Sequence, residues 1–197
     1  MSYSIDAQSS DCYPGTSILI NKLDIQNQKQ LEESETLVTT ARSLQFELFP
    51  FVEELDFTYY RRLHRFVFES LYGWAGELRT VNLSKQHTRF CPVEDLETLA
   101  AACFSRLKQM DYFCNLPRDS FLEELVDFYI SINYLHPFRE GNGRVQRLYF
   151  RQLAARAGYK LNFAAIDSDE MMLATIHAAS GIVDTMRRAF DRIIETK

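Results

Sequence analysis

His136-Pro137-Phe138-Arg139-Glu140-Gly141-Asn142-Gly143-Arg144-Val145-Gln146-Arg147 joins two segments of helical periodicity, and the fold is read outward from it. Upstream, residues 118 to 135 carry Phe121, Leu122, Leu125, Val126, Phe128, Tyr129, Ile132 and Leu135 at helical spacing over a broad arc. Only Glu123, Glu124, Asp127 and Ser131 interrupt it, on one narrow side, which predicts a nearly buried, central helix. Pro137 stops that helix, because proline disfavours helical geometry at the residue before it. His136 is therefore presented at a helix end. Downstream, Val145, Leu148, Tyr149 and Leu153 form a second core stripe, and Gly158 suits the position just past Ala157.

The loop between these helices combines a base, a metal ligand and an anion cradle. Gly141-Asn142-Gly143 lies at the N-terminus of the second helix, where free N–H groups and the positive dipole end attract anions. Arg144 and Arg147 are three apart and project from the same side of the first turn. Two guanidiniums beside free N–H groups suit a polyphosphate better than a single carboxylate. Glu140 is an odd neighbour for phosphate unless it holds Mg²⁺, which bridges carboxylate and phosphate oxygens. A histidine after a helix, a Gly-Asn-Gly turn or a row of arginines has an ordinary explanation when met singly. Their coincidence around one turn points to nucleotide chemistry. One tension stays open at this level: a helix C-terminus favours the imidazolium form of His136, whereas nearby arginines oppose it.

His136-Pro137-Phe138-x-Glu140-Gly141-Asn142-Gly143-Arg144-x-x-Arg147 resembles the signature of the Fic family at every defined position. Leu63-His64-Arg65 and Leu71-Tyr72-Gly73-Trp74-Ala75-Gly76-Glu77-Leu78-Arg79 resemble that family's approach to its flap, and Tyr13-Pro14-Gly15-Thr16 resembles the N-terminal segment of bacterial Fic toxins. The resemblance implies a single domain over residues 1–197, with a core at 56–165 and a helical segment at 1–55 packed on it. It implies AMPylation, the transfer of AMP from ATP to a Ser, Thr or Tyr hydroxyl of a target protein. His136 would be the general base and Glu140 the Mg²⁺ ligand. Gly141, Asn142 and Gly143 would form the anion hole, while Arg144 and Arg147 hold the outer phosphates. Phe138 would anchor the loop, and Arg139 is counted with the ATP-binding residues.

Residues 79 to 92 read as the flap. Thr80-Val81-Asn82-Leu83-Ser84 alternates like a short strand, and Arg89-Phe90-Cys91 returns beside it around Lys85-Gln86-His87-Thr88. In the family such a hairpin docks the target by strand addition. Val81, Leu83 and Phe90 fall at target-docking positions, and Lys85 matches a basic residue near the nucleotide.

The remaining chain predicts an all-α bundle with one small β-hairpin. Its 197 residues, 46% hydrophobic and 13% aromatic, exclude disorder. A net charge of −5 argues against a direct nucleic-acid partner. No run is of membrane-spanning length, and the N-terminus lacks a basic-then-apolar leader. Cys12, Cys91, Cys103 and Cys114 show no CxxC pairing, which fits a reduced cytoplasm. Further helices are expected from Asp24 to about Leu48, from Asp56, after Pro92, over Met171 to Ala179 and over Ile182 to Ile194. His64 and His177 read as packing or surface residues.

Many Fic enzymes carry an inhibitory helix whose glutamate pairs with the second arginine of the motif. Ser43 and Glu47 have its spacing, but Leu48 follows where Gly or Asn belongs. Ser180 is followed at that spacing by Asp184. The resemblance therefore implies inhibition in trans, by a small antitoxin whose glutamate reaches Arg147. Family analogy also suggests a type II topoisomerase such as DNA gyrase or topoisomerase IV as target. Two alternatives are a Fic-fold transferase of phosphate or phosphocholine and a non-enzymatic module. Doc-like phosphotransferases have Lys at the position of Gly143, so Gly143 favours AMP transfer.

Overall fold

In the computed structural model, residues 4–5, 11–50, 54–85 and 88–196 are described. Strand β1 (Ser4–Ile5) is followed by a turn in which Tyr13 N–H donates to Ile18 O at 2.9 Å and Thr16 N–H to Tyr13 O at 3.0 Å. Helix α1 (Gln28–Leu48) starts later than Asp24, because the Asn27 side chain accepts from Gln30 N–H and caps it. Asp24 instead sits in the preceding turn at φ 53°. Asp56 caps α2 (Phe57–Phe68) by accepting from Tyr59 N–H at 2.7 Å.

The flap follows as β2 (Leu83–Lys85) and β3 (Thr88–Arg89), paired antiparallel with Ser84 opposite Arg89. Gln86 and His87, read above as the turn, lie outside the described residues. A 3₁₀ turn leads into α3 (Leu96–Gln109), and α4 (Arg118–Leu135) and α5 (Asn142–Ala157) carry the loop between them. Strand β4 (Tyr159–Leu161), α6 (Ser168–Ala179), α7 (Asp184–Ile193) and β5 (Ile194–Thr196) complete the chain.

The all-α expectation holds, and the β structure is richer than one hairpin. β1 adds antiparallel to β2, making a three-stranded sheet ordered β1-β2-β3. β5 returns to pair with β4. Most buried apolar side chains form one cluster running from Leu19 and Phe46 through α4 and α5 to Phe190 and Ile194. Leu125, Phe121, Phe128 and Ile132 of α4 are buried on nearly every side, as its broad apolar arc requires. Among the described residues no helix is long and apolar enough to cross a membrane.

Candidate active site

Helix α4 ends at His136, whose N–H donates to Ile132 O at 3.1 Å while its own backbone turns left-handed at φ 43°, ψ 56°. The chain thereby changes direction and drives Phe138 into the core, stacked on His64 at 3.9 Å and on Tyr60 at 5.5 Å. Asn142 closes the loop: its Oδ1 accepts from Phe138 N–H at 2.9 Å and its Nδ2 donates to Phe138 O at 2.7 Å. Gly141 is at φ 80°, and a Cβ there would meet Phe68 Cζ at 2.1 Å. Only glycine fits that turn against that ring. At Gly143 a Cβ would meet nothing closer than Arg147 Nη1 at 3.5 Å, so ordinary contact space is open.

The imidazole of His136 is buried, 7% exposed, and stacks on Phe90 at 3.8 Å and 14°. Its Nδ1 lies 3.3 Å from Asn133 O. A proton on Nδ1 donates there, which assigns Nε2 as the acceptor. Burial lowers its pKa to about 3; Arg79 and Lys85 act in the same direction, against the Asn133 carbonyl. Desolvation thus decides the sign that helix end and arginines left open, and the ring is neutral at pH 7.

Two residues outside the motif hold this arrangement. Arg79 is buried and donates to His136 O at 2.9 Å, Val81 O at 2.8 Å, Leu135 O at 3.3 Å and Cys91 O. Its own N–H donates to Pro137 O at 2.9 Å. A guanidinium on the last carbonyls of α4 suits the negative end of that helix and ties the flap to the loop. His64 accepts from Gly76 N–H at Nδ1 (2.8 Å), so its Nε2–H donates to Glu140 O at 3.0 Å. It is enclosed by Phe68, Phe138 and Trp74, and burial lowers its pKa to about 3. A histidine on an apolar helix face reads as packing, and nothing in the sequence shows that it grips the loop 76 residues on.

The motif opens on a cavity of about 920 Å³ between α1, the flap, α4, α5 and α6. His136, Glu140, Gly141, Gly143, Arg144, Arg147, Lys85 and Phe90 line it. Phe138 and Asn142 are buried behind the wall as its braces. Arg139 points elsewhere: it is buried, with Nε 3.4 Å from Asp11 and Nη2 3.7 Å from Cys12 Sγ, clamping the N-terminal turn. Its guanidinium does not line the cavity where an ATP contact was expected. Val81 precedes β2, and Leu83 is buried beneath the flap rather than on the cavity wall. Phe90 covers the His136 ring.

Three arginines of α5 line the cavity. Arg144 pairs with Glu35 and Arg151 with Glu47. Arg147 has no carboxylate or hydrogen-bond partner among the described residues, and desolvation beside Arg144 and Arg151 lowers its pKa. The Glu140 carboxylate accepts from Gly141 N–H at 2.8 Å and faces Arg144 at 3.3 Å. The far end is apolar, with Leu148, Phe163, Ile166, Met171 and Met172.

Residues 54–154 match the model of the Fic/DOC family, more than half of the chain, and the chain belongs to that family. It is 34% identical to the probable protein adenylyltransferase Fic of Escherichia coli (strain K12), over 92% of this chain and 90% of that one. The N-terminal Fic domain of a VirB-translocated effector from Bartonella sp. AR 15-3 superposes with a TM-score of 0.90 at 28% identity, covering 94% of this chain and 91% of that domain. A Fic domain from Bartonella quintana, solved with bound ADP, gives 0.88 at 25% identity over 95% of each chain. The chain is accordingly an enzyme, a protein adenylyltransferase of the Fic/DOC family.

Proposed function

We propose that the cavity binds ATP and that AMP is moved from it to a Ser, Thr or Tyr hydroxyl of a protein docked along the flap. The observation that carries this reading is one wall holding the neutral His136, the Glu140 carboxylate and an Arg147 that meets no carboxylate among the described residues. Nε2 of His136 takes the hydroxyl proton, the oxygen attacks the α-phosphorus, and the bond to the bridging oxygen breaks so that pyrophosphate leaves. Arg147 and Arg144 hold the outer phosphates beside the N-terminus of α5. The apolar end near Phe163 and Met171 takes the adenine. Glu140 fits Mg²⁺: a single carboxylate suits an ion whose other ligands are phosphate oxygens and water, where it would neutralise phosphate charge. Among the described residues no three-ligand His, Cys, Asp or Glu cluster exists to hold a metal without substrate.

Control in trans by a small antitoxin in the cytoplasm belongs to the same proposal. Glu47, the residue with inhibitor spacing, pairs with Arg151 rather than Arg147. Helix α1 also leaves Leu37, Leu44 and Leu48 exposed along one face near the cavity, as a partner helix requires. DNA gyrase or topoisomerase IV is the target class suggested by analogy.

Labelled ATP with Mg²⁺ in a bacterial lysate tests the activity. Wild type should label a protein whose intact mass rises by one AMP, and His136→Ala should lower the rate at least about 100-fold. A phosphate or phosphocholine increment, or equal labelling by His136→Ala, would overturn the reading.

A further inference from the structure

We propose that Glu35, braced by Tyr72, is a positioning residue for Arg144: it sets the direction of that guanidinium and thereby the grip on the nucleotide's polyphosphate. The inference rests on the reading that Arg144 meets the phosphates. Glu35 lies on α1, upstream of the residues that match the family model.

The Glu35 side chain is 10% exposed, and a carboxylate that buried needs partners for both oxygens. Arg144 Nη2 takes Oε1, and Tyr72 O–H donates to Oε2 at 3.2 Å. One helical turn on, Thr39 gives its own hydroxyl proton to Glu35 O at 2.7 Å, which leaves its oxygen to accept from Arg144 Nη1 at 3.3 Å. Phe68 lies under the guanidinium at 4.9 Å, and Trp74 stacks on Tyr72 at 4.4 Å.

Arg144 thus makes three hydrogen bonds, to Glu35, Thr39 and Glu140, all through its terminal nitrogens. A guanidinium carries about five N–H donors in a rigid fork. Nε–H and one N–H of Nη1 remain for a phosphate, in a direction the three bonds define. Without Glu35 the long side chain regains its rotamers, and ordering it again costs affinity. The opposing possibility is that Glu35 competes with phosphate for Arg144, in which case its removal tightens binding.

Calorimetric titration of the full chain with AMPPNP–Mg²⁺, and separately with AMP, distinguishes them. Glu35→Ala should weaken AMPPNP about tenfold and leave AMP within about twofold, since AMP lacks the outer phosphates. Glu35→Gln, which keeps an acceptor for Arg144, should restore AMPPNP binding to within about threefold of wild type. On an Arg144→Ala background, Glu35→Ala should add nothing. Tyr72→Phe removes only the phenol's bond and should weaken AMPPNP about threefold even if Glu35→Ala fails to fold.

Unchanged or tighter AMPPNP binding by Glu35→Ala, an equal loss for AMP, or a full Glu35 effect without Arg144 would each overturn the inference. So would a Glu35→Gln as weak as Glu35→Ala. If Arg144→Ala itself binds AMPPNP like wild type, the phosphate reading fails first and the inference falls with it.

Discussion

His136 owes its neutral form to burial beside Phe90 and the end of α4. Its pKa in the folded chain, lowered to about 3, places the neutral, proton-accepting ring across the whole physiological range. Only below that value does the imidazolium dominate. The acid limb of kcat/KM should therefore fall below about pH 5, well under the ordinary histidine value of about 6.5. A pH–rate profile with an acid limb between about 6 and 7 would show instead that the ring is solvated in the working enzyme. At Arg139 the same scale gives the opposite lesson. Its place in the motif suggests nucleotide, yet its guanidinium holds Asp11 and Cys12. A motif position fixes where a backbone goes, but the side chain follows whichever partner is within reach.

Among the elements, α4 and α5 are the most legible in sequence because local chemistry bounds them. Pro117 and Pro137 bracket α4, and Gly158 at φ 93° ends α5. The pairings of β1 with β2 and of β4 with β5 are not legible. Each joins short segments far apart in the chain, where two or three residues carry no alternation to read. The same holds for the flap's attachment. Its strands are weak sequence signals, and Arg79 supplies the tie through four carbonyls of two elements. Arg79→Gln can satisfy only part of that set. It should cost about 2–4 kcal/mol, lower Tm by roughly 5–10 °C and speed amide exchange over residues 80–91 more than in α7. Uniform exchange changes across the molecule would deny the flap tie.

Taken as a whole, the molecule buries two neutral histidines, His64 and His136, whose folded pKa values are both about 3. In the unfolded chain each titrates near about 6.5. Below that pH the unfolded state binds protons that the folded state refuses, so stability falls as pH drops from about 6.5 toward 3. By pH 5 the loss is on the order of 2 kcal/mol per ring. Scanning calorimetry should show Tm falling between pH 7 and 5, with a shallower slope for His136→Asn; a flat wild-type profile would contradict the buried, neutral state. The stack of Trp74 on Tyr72 has a different consequence. It is the chain's one tryptophan, and it sits two rings from Arg144 rather than among α6 and α7. Its fluorescence is a built-in optical probe of the surroundings of Arg144: emission changes report that side of the cavity first.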